Sequence, residues 1–216
     1  MKLVYVADPM CSWCYGFGKE MTQLMLLRPD LDLEIVVGGL RAGATDVLDD
    51  EGKQFRLTHW RRVEALSGLP FNREGLIARK NFVYDTEPIC RAVVAARLIA
   101  PEIDLLAVFR ALQTAFYVDA VDTTDGRVLA RFGSEAMSRL GFPTDISFFY
   151  KVWSDVKTIA ATKSDFSRAK ALGVRSFPTL LLENAGEMRV ISPGYAQVNE
   201  VVLSLDAALR VTDLQT

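Results

Sequence analysis

The sequence predicts an α/β fold: a βαβ unit at the N-terminus, a ββα unit at the C-terminus, and a large all-helical insertion between them. Strand-like runs occur only near the two ends, whereas from about Leu40 to about Thr162 the periodic segments repeat at helical spacing. A third observation marks the point around which the rest is arranged. Cys11 and Cys14 stand three residues apart where the first strand gives way to the first helix. The implied division is residues 1–40 and 160–216 for the α/β part and 41–159 for the insertion. A chain of 216 residues has ample material for such a core.

Taken in order, Leu3-Val4-Tyr5-Val6-Ala7 has the length and β-branched content of a buried strand. The stretch Asp8-Pro9-Met10-Cys11-Ser12-Trp13-Cys14-Tyr15-Gly16-Phe17 follows. Phe17, Met21, Leu24 and Met25 then fall at helical spacing until Arg28-Pro29 stops the pattern. Asp30 to Val37 reads as a second strand ended by Gly38-Gly39. Strand, helix and strand at this length make a βαβ unit with parallel strands and a right-handed crossover.

In the insertion, Gly52 to Ser67 reads as a helix closed by Gly68 and Pro70. Pro88 opens another over Ile89 to Ala100, broken by Pro101. Leu105, Leu106, Phe109, Leu112 and Phe116 mark the next. Thr123 or Thr124, and Ser134, are expected to cap two further short helices. From Pro143 onward, Ile146, Phe149, Val152, Trp153 and Val156 predict one more amphipathic helix. The C-terminal unit begins with a helix from Ser164 to Leu172, stopped by Gly173. Pro178 to Glu183 and Met188 to Ile191 form a hairpin around Asn184 to Glu187. After Pro193-Gly194, Val198, Val201, Val202, Leu205 and Leu209 line one side of a last helix.

Composition excludes several classes. The formal net charge is −2 and no block of basic residues occurs, which argues against nucleic acid or an anionic membrane as partner. Three cysteines are too few, and odd in number, for a disulfide-stapled secreted scaffold. No apolar run is long enough to span a bilayer. Met1-Lys2-Leu3 enters the first strand with no signal-like stretch before it, so the expected location is cytoplasmic.

Cys11 is placed at the start of a helix, where unpaired N–H groups and the helix dipole favour a thiolate. Cys14, one turn later, lies on the same face and can close a short disulfide with it. Two other readings compete: half of a zinc site, or two inert buried cysteines. Zinc takes four ligands, normally from a second pair at matching spacing, and no second pair exists. Adding Cys90 and His59 completes a Cys3His count only from distant positions. Redox chemistry with no metal and no cofactor is the favoured expectation.

The order of elements, with Cys-x-x-Cys at the first strand-to-helix turn, is the thioredoxin arrangement. Asp8 to Gly16, together with Gly173-Val174-Arg175-Ser176-Phe177-Pro178-Thr179, resembles the DsbA-like branch. Within that branch it is most similar to predicted bacterial protein-disulfide isomerases and FrnE-like proteins. The resemblance implies a thiol–disulfide oxidoreductase with Cys11 as the exposed nucleophile and Cys14 as the deeper resolving thiol. It implies that Ser12 and Trp13 tune the pair and meet the substrate. It implies a cis peptide before Pro178, turning Phe177 and Thr179 toward the cysteines so that the Phe177 backbone can pair with an extended chain. Partners are then protein or peptide thiols and disulfides, with glutathione a further candidate. In DsbA the corresponding pair flanks Pro and His; Ser12 and Trp13 supply no such charge, so a less oxidising couple is expected.

Asp8 reads as a turn or cap residue that could also move protons for Cys14. The family's buried acid belongs earlier on the strand, where Tyr5 or Val6 stands. Cys90 reads as a small core residue or, by the FrnE-like pattern, as a third redox thiol. His59 is expected on a helix surface with no catalytic role. Two rival functions remain. One is a glutathione-dependent isomerase or transferase resembling the kappa-class transferases and hydroxychromene-carboxylate isomerases, which typically carry serine at the first motif position. The other is a non-catalytic peptide- or zinc-binding module.

Overall fold

The structure, a computed structural model, describes residues 1–213. In chain order the elements are β1 (Lys2–Ala7), α1 (Ser12–Leu27), β2 (Asp32–Val37), α2 (Asp50–Ser67), α3 (Arg73–Ala78), α4 (Glu87–Ile99), α5 (Leu105–Tyr117), α6 (Gly126–Arg139), α7 (Ile146–Ser154), α8 (Val156–Ala171), β3 (Thr179–Asn184), β4 (Glu187–Ser192) and α9 (Val198–Asp213). The sheet order is β2-β1-β3-β4. β1 runs parallel to β2 and antiparallel to β3, which pairs antiparallel with β4. This is a thioredoxin fold with a helical insertion between β2 and α8.

β1 is central and covered on both faces, which is why its sequence is apolar throughout rather than alternating. Leu3, Tyr5 and Ala7 join the main core with α1, α9 and the insertion. Val4 and Val6 point the other way, to Val36, Leu181 and Ala169 of α8. β2 has a free edge, and charged groups close it. Arg97 of α4 donates to the Ile35 carbonyl at 3.0 Å, and Asp165 of α8 accepts from the Val37 N–H at 3.2 Å. The two side chains are themselves paired, at 3.0 and 3.1 Å. One ion pair thus fastens the insertion to the sheet while satisfying edge-strand groups that have no strand partner.

The insertion departs from expectation in three places. Neither Thr123, Thr124 nor Ser134 caps a helix. Asp125 caps a single helix α6, its carboxylate accepting from the N–H groups of Arg127 and Val128. Ser134 lies inside α6 and bonds back to the Arg131 carbonyl. An ionised carboxylate is the stronger acceptor for free N–H groups, so Asp125 outcompetes the neighbouring hydroxyls. The apolar series Ile146 to Val156 does not form one helix either. Asp155 adopts an extended backbone that ends α7 and caps α8, so α8 starts at Val156 and extends through residue 160. The third departure is α3, six residues capped by Asn72, too short to show helical periodicity.

Candidate active site

The end of β1 leads into a tight turn held by its own residues. The Cys11 N–H donates to the Asp8 carbonyl at 3.0 Å, and the Met10 N–H donates to the Asp8 carboxylate at 2.8 Å. Tyr84, from the insertion, donates its hydroxyl to the Met10 carbonyl at 2.6 Å. Cys11 occupies the N-cap position of α1 with an extended backbone. Its side chain makes no capping bond, and the first turn of α1 holds no acidic residue. The thiol donates instead across the site, to the Phe177 carbonyl at 3.5 Å. The Phe177–Pro178 peptide bond is cis. Thr179 and Ser176 brace this loop, through bonds to the Ser176 and Pro193 carbonyls. The motif and the second loop, 166 residues apart in sequence, therefore meet at the sulfur of Cys11.

Gly38 sets how closely they meet. A Cβ there would lie 2.2 Å from the Phe177 ring. Gly38→Ala is therefore expected to displace Phe177, destabilise the protein by about 1–2 kcal/mol and slow thiol exchange. Denaturant unfolding and a thiol-exchange assay on the same preparation check both effects.

Both thiols are free. Cys14 is fully buried and Cys11 keeps 6% of its surface, so the expected order of depth holds but Cys11 is less open than expected. The Phe177 loop lying against it accounts for the cover. Burial pushes the Cys14 thiol well up, and the neighbouring Cys11 adds to this. The Asp8 N–H, 3.5 Å from the Cys14 sulfur, works in the opposite direction. Tyr5 donates its hydroxyl to the Cys14 carbonyl at 3.3 Å. A phenol inside an otherwise aliphatic strand needs a partner, and that was the available signal for Tyr5.

Asp8 is more than a turn residue. It is fully buried, and burial pushes its carboxyl up to about 6 against the pull of its hydrogen bonds. Leu40 N–H donates to it at 2.6 Å, the Cys90 thiol at 3.6 Å, and Thr86 also hydrogen-bonds it. Thr86 and Cys90 come from the start of α4, so the insertion closes over the base of the motif. Cys90 is fully buried, and burial, followed by the charge of Asp8, pushes its thiol well up.

Ser12 and Trp13 are half-buried at the start of α1. The Trp13 indole N–H donates to His59 Nδ1 at 3.2 Å, so the one histidine of the chain, expected on an uninvolved surface, stands beside the motif. Among the described residues no group of three or more His, Cys, Asp or Glu side chains is placed to hold a metal ion. No helix among them is long and apolar enough to cross a membrane.

No family model and no curated protein sequence matches the chain. Solved structures do. A candidate protein disulfide isomerase from Nitrosomonas europaea is 33% identical, with 97% of this chain and 98% of that one covered and a TM-score of 0.86. The cytosolic disulfide reductase DsbM from Pseudomonas aeruginosa is 25% identical over 98% of this chain and 100% of its own, with a TM-score of 0.79. A second structure of DsbM, with glutathione, gives 25% identity over 97% and 100%, with a TM-score of 0.77. Identity at this level over nearly the whole length, on a sheet and insertion of the same order, shows that the chain belongs to the DsbA-like family of thioredoxin-fold oxidoreductases.

Proposed function

We propose that the protein is a thiol–disulfide oxidoreductase, isomerase-like in its chemistry, that works in the cytosol on protein or peptide disulfides with glutathione as its thiol partner. The observation that carries this reading is the placement of the Cys11 sulfur 3.5 Å from the Phe177 carbonyl, with Cys14 buried behind it. In the reductive direction the Cys11 thiolate attacks one sulfur of a substrate disulfide. The substrate S–S bond breaks, and the departing sulfur leaves as a thiolate that takes up a proton. Cys14 then gives up its proton, and its sulfur attacks Cys11. The second substrate thiol leaves, and the protein holds a Cys11–Cys14 disulfide. Two glutathione thiols restore the dithiol and become glutathione disulfide. Departure of the substrate on a different internal thiol, before Cys14 attacks, gives isomerisation instead.

Phe177 holds its carbonyl beside the sulfur, next to the cis bond to Pro178 and the start of β3 at Thr179, where a substrate chain could pair with its backbone. The helices between β2 and α8 act as an insertion that roofs this site on the frame of β1, α1, β2, α8, β3, β4 and α9. The similarity to DsbM, a cytosolic disulfide reductase with a structure holding glutathione, supports the compartment, the direction and the thiol partner. With only Ser12 and Trp13 between the cysteines, the couple is more reducing than that of DsbA. Redox titration against glutathione is expected to give a potential below about −120 mV, the DsbA value. A potential at or above it, or no acceleration of insulin reduction by dithiothreitol, would overturn the reading.

A further inference from the structure

We infer that His59 is a positioning residue that fixes the Trp13 indole as an apolar contact surface for a polypeptide substrate beside the motif. The inference rests on the oxidoreductase reading above. Trp13 is the residue immediately before Cys14, and its indole N–H can only donate. It donates to His59 Nδ1 at 3.2 Å, with the two rings edge to face at 6.3 Å and 83°. The imidazole therefore offers a bare Nδ1 and carries its proton on Nε2. Trp13 is half-buried, where water can serve an indole N–H, so burial alone does not demand this partner. What the bond adds is orientation.

The surroundings extend that surface. Tyr195 lies 6.0 Å from Trp13 on one side, and Phe55 lies 4.7 Å from His59 on the other. The Tyr195 hydroxyl donates to the Leu66 carbonyl at 3.3 Å, holding that end of the row to α2. Tyr195, Trp13, His59 and Phe55 thus form a line of rings from the motif to the surface, where Phe55 is 64% exposed. Such a row offers apolar area to a peptide carrying apolar side chains near its cysteine. A small disulfide occupies only the sulfur and gains nothing from the row.

Steady-state kinetics on the wild type, His59→Ala and His59→Asn, with reduced insulin chains' parent disulfide and with bis(hydroxyethyl) disulfide, separate these roles. Asparagine places an amide oxygen near the Nδ1 position and is expected to restore the bond. In His59→Ala, KM for insulin is expected to rise about fivefold, the scale of one neutral hydrogen bond, at unchanged kcat. KM for the small disulfide stays the same, and the Trp13 indole N–H resonance moves. His59→Asn returns both the insulin KM and the resonance toward wild type. An unchanged insulin KM in His59→Ala overturns the inference, as does an equal loss with both disulfides that tracks melting temperature. A wild-type protein that turns over neither disulfide overturns the oxidoreductase reading itself and the inference with it.

Discussion

Serine in place of Cys11 is expected to bring insulin reduction down to the uncatalysed rate, a loss of at least about 10³-fold on the scale seen when a covalent nucleophile is removed. A hydroxyl does not ionise near neutral pH and forms no exchangeable bond to sulfur, and the thiols that remain, Cys14 and Cys90, are fully buried and held well up. Cys14→Ser is expected to behave differently. Attack by Cys11 still proceeds, but the motif no longer holds a second thiol to displace the substrate, and the mixed disulfide accumulates. Mass spectrometry after exposure to glutathione disulfide reads this directly as one glutathione per chain. Burial predicts the alkylation pattern as well: in the reduced wild type one thiol reacts fast, and it is Cys11. Cys14 and Cys90 are fully buried with thiols held well up, and they react on the timescale of opening. Fast labelling of Cys14 in preference to Cys11 would reverse the assignment.

Asp8 gives the second large effect, and it has a definite sign. Folded, the carboxyl holds its proton up to about pH 6; unfolded, it releases it near the ordinary aspartate value of 3.8. Between these values unfolding liberates a proton, so raising the pH favours the unfolded chain. The contribution of Asp8 to stability is therefore unpenalised below about pH 4, falls from there to about pH 6, and stays low above. Roughly two pH units correspond to about 2–3 kcal/mol at about 1.36 kcal/mol each. Denaturant unfolding of wild type and Asp8→Asn from pH 4 to 7 checks it: the difference between them changes across that range, and a constant difference refutes the assignment.

The frame was legible because local signals and tertiary demands agree in it. A continuous apolar run needs cover on both faces, and β1 has it from α1 and α9 on one side and α8 on the other. The Cys-x-x-Cys spacing at a strand-to-helix turn located the motif, and the Phe177-Pro178 loop located what faces it. The insertion was less legible where one residue decides. Asp155 ends one helix and begins another, and no periodicity announces a break that depends on a single extended residue. The contributions of Tyr84, Thr86 and His59 were illegible for a different reason. Each acts from the insertion on a residue more than 40 positions away, and nothing in its own neighbourhood marks it. Cys90 showed only as an unassigned thiol, until folding placed it against Asp8.

The Arg97–Asp165 pair has a consequence for how this protein can join another chain. Because it occupies the outward carbonyl of Ile35 and the outward N–H of Val37, a foreign strand finds no ladder to extend on that flank. Strand addition at those two positions of β2 is thereby blocked, and the sheet's other edge is β4.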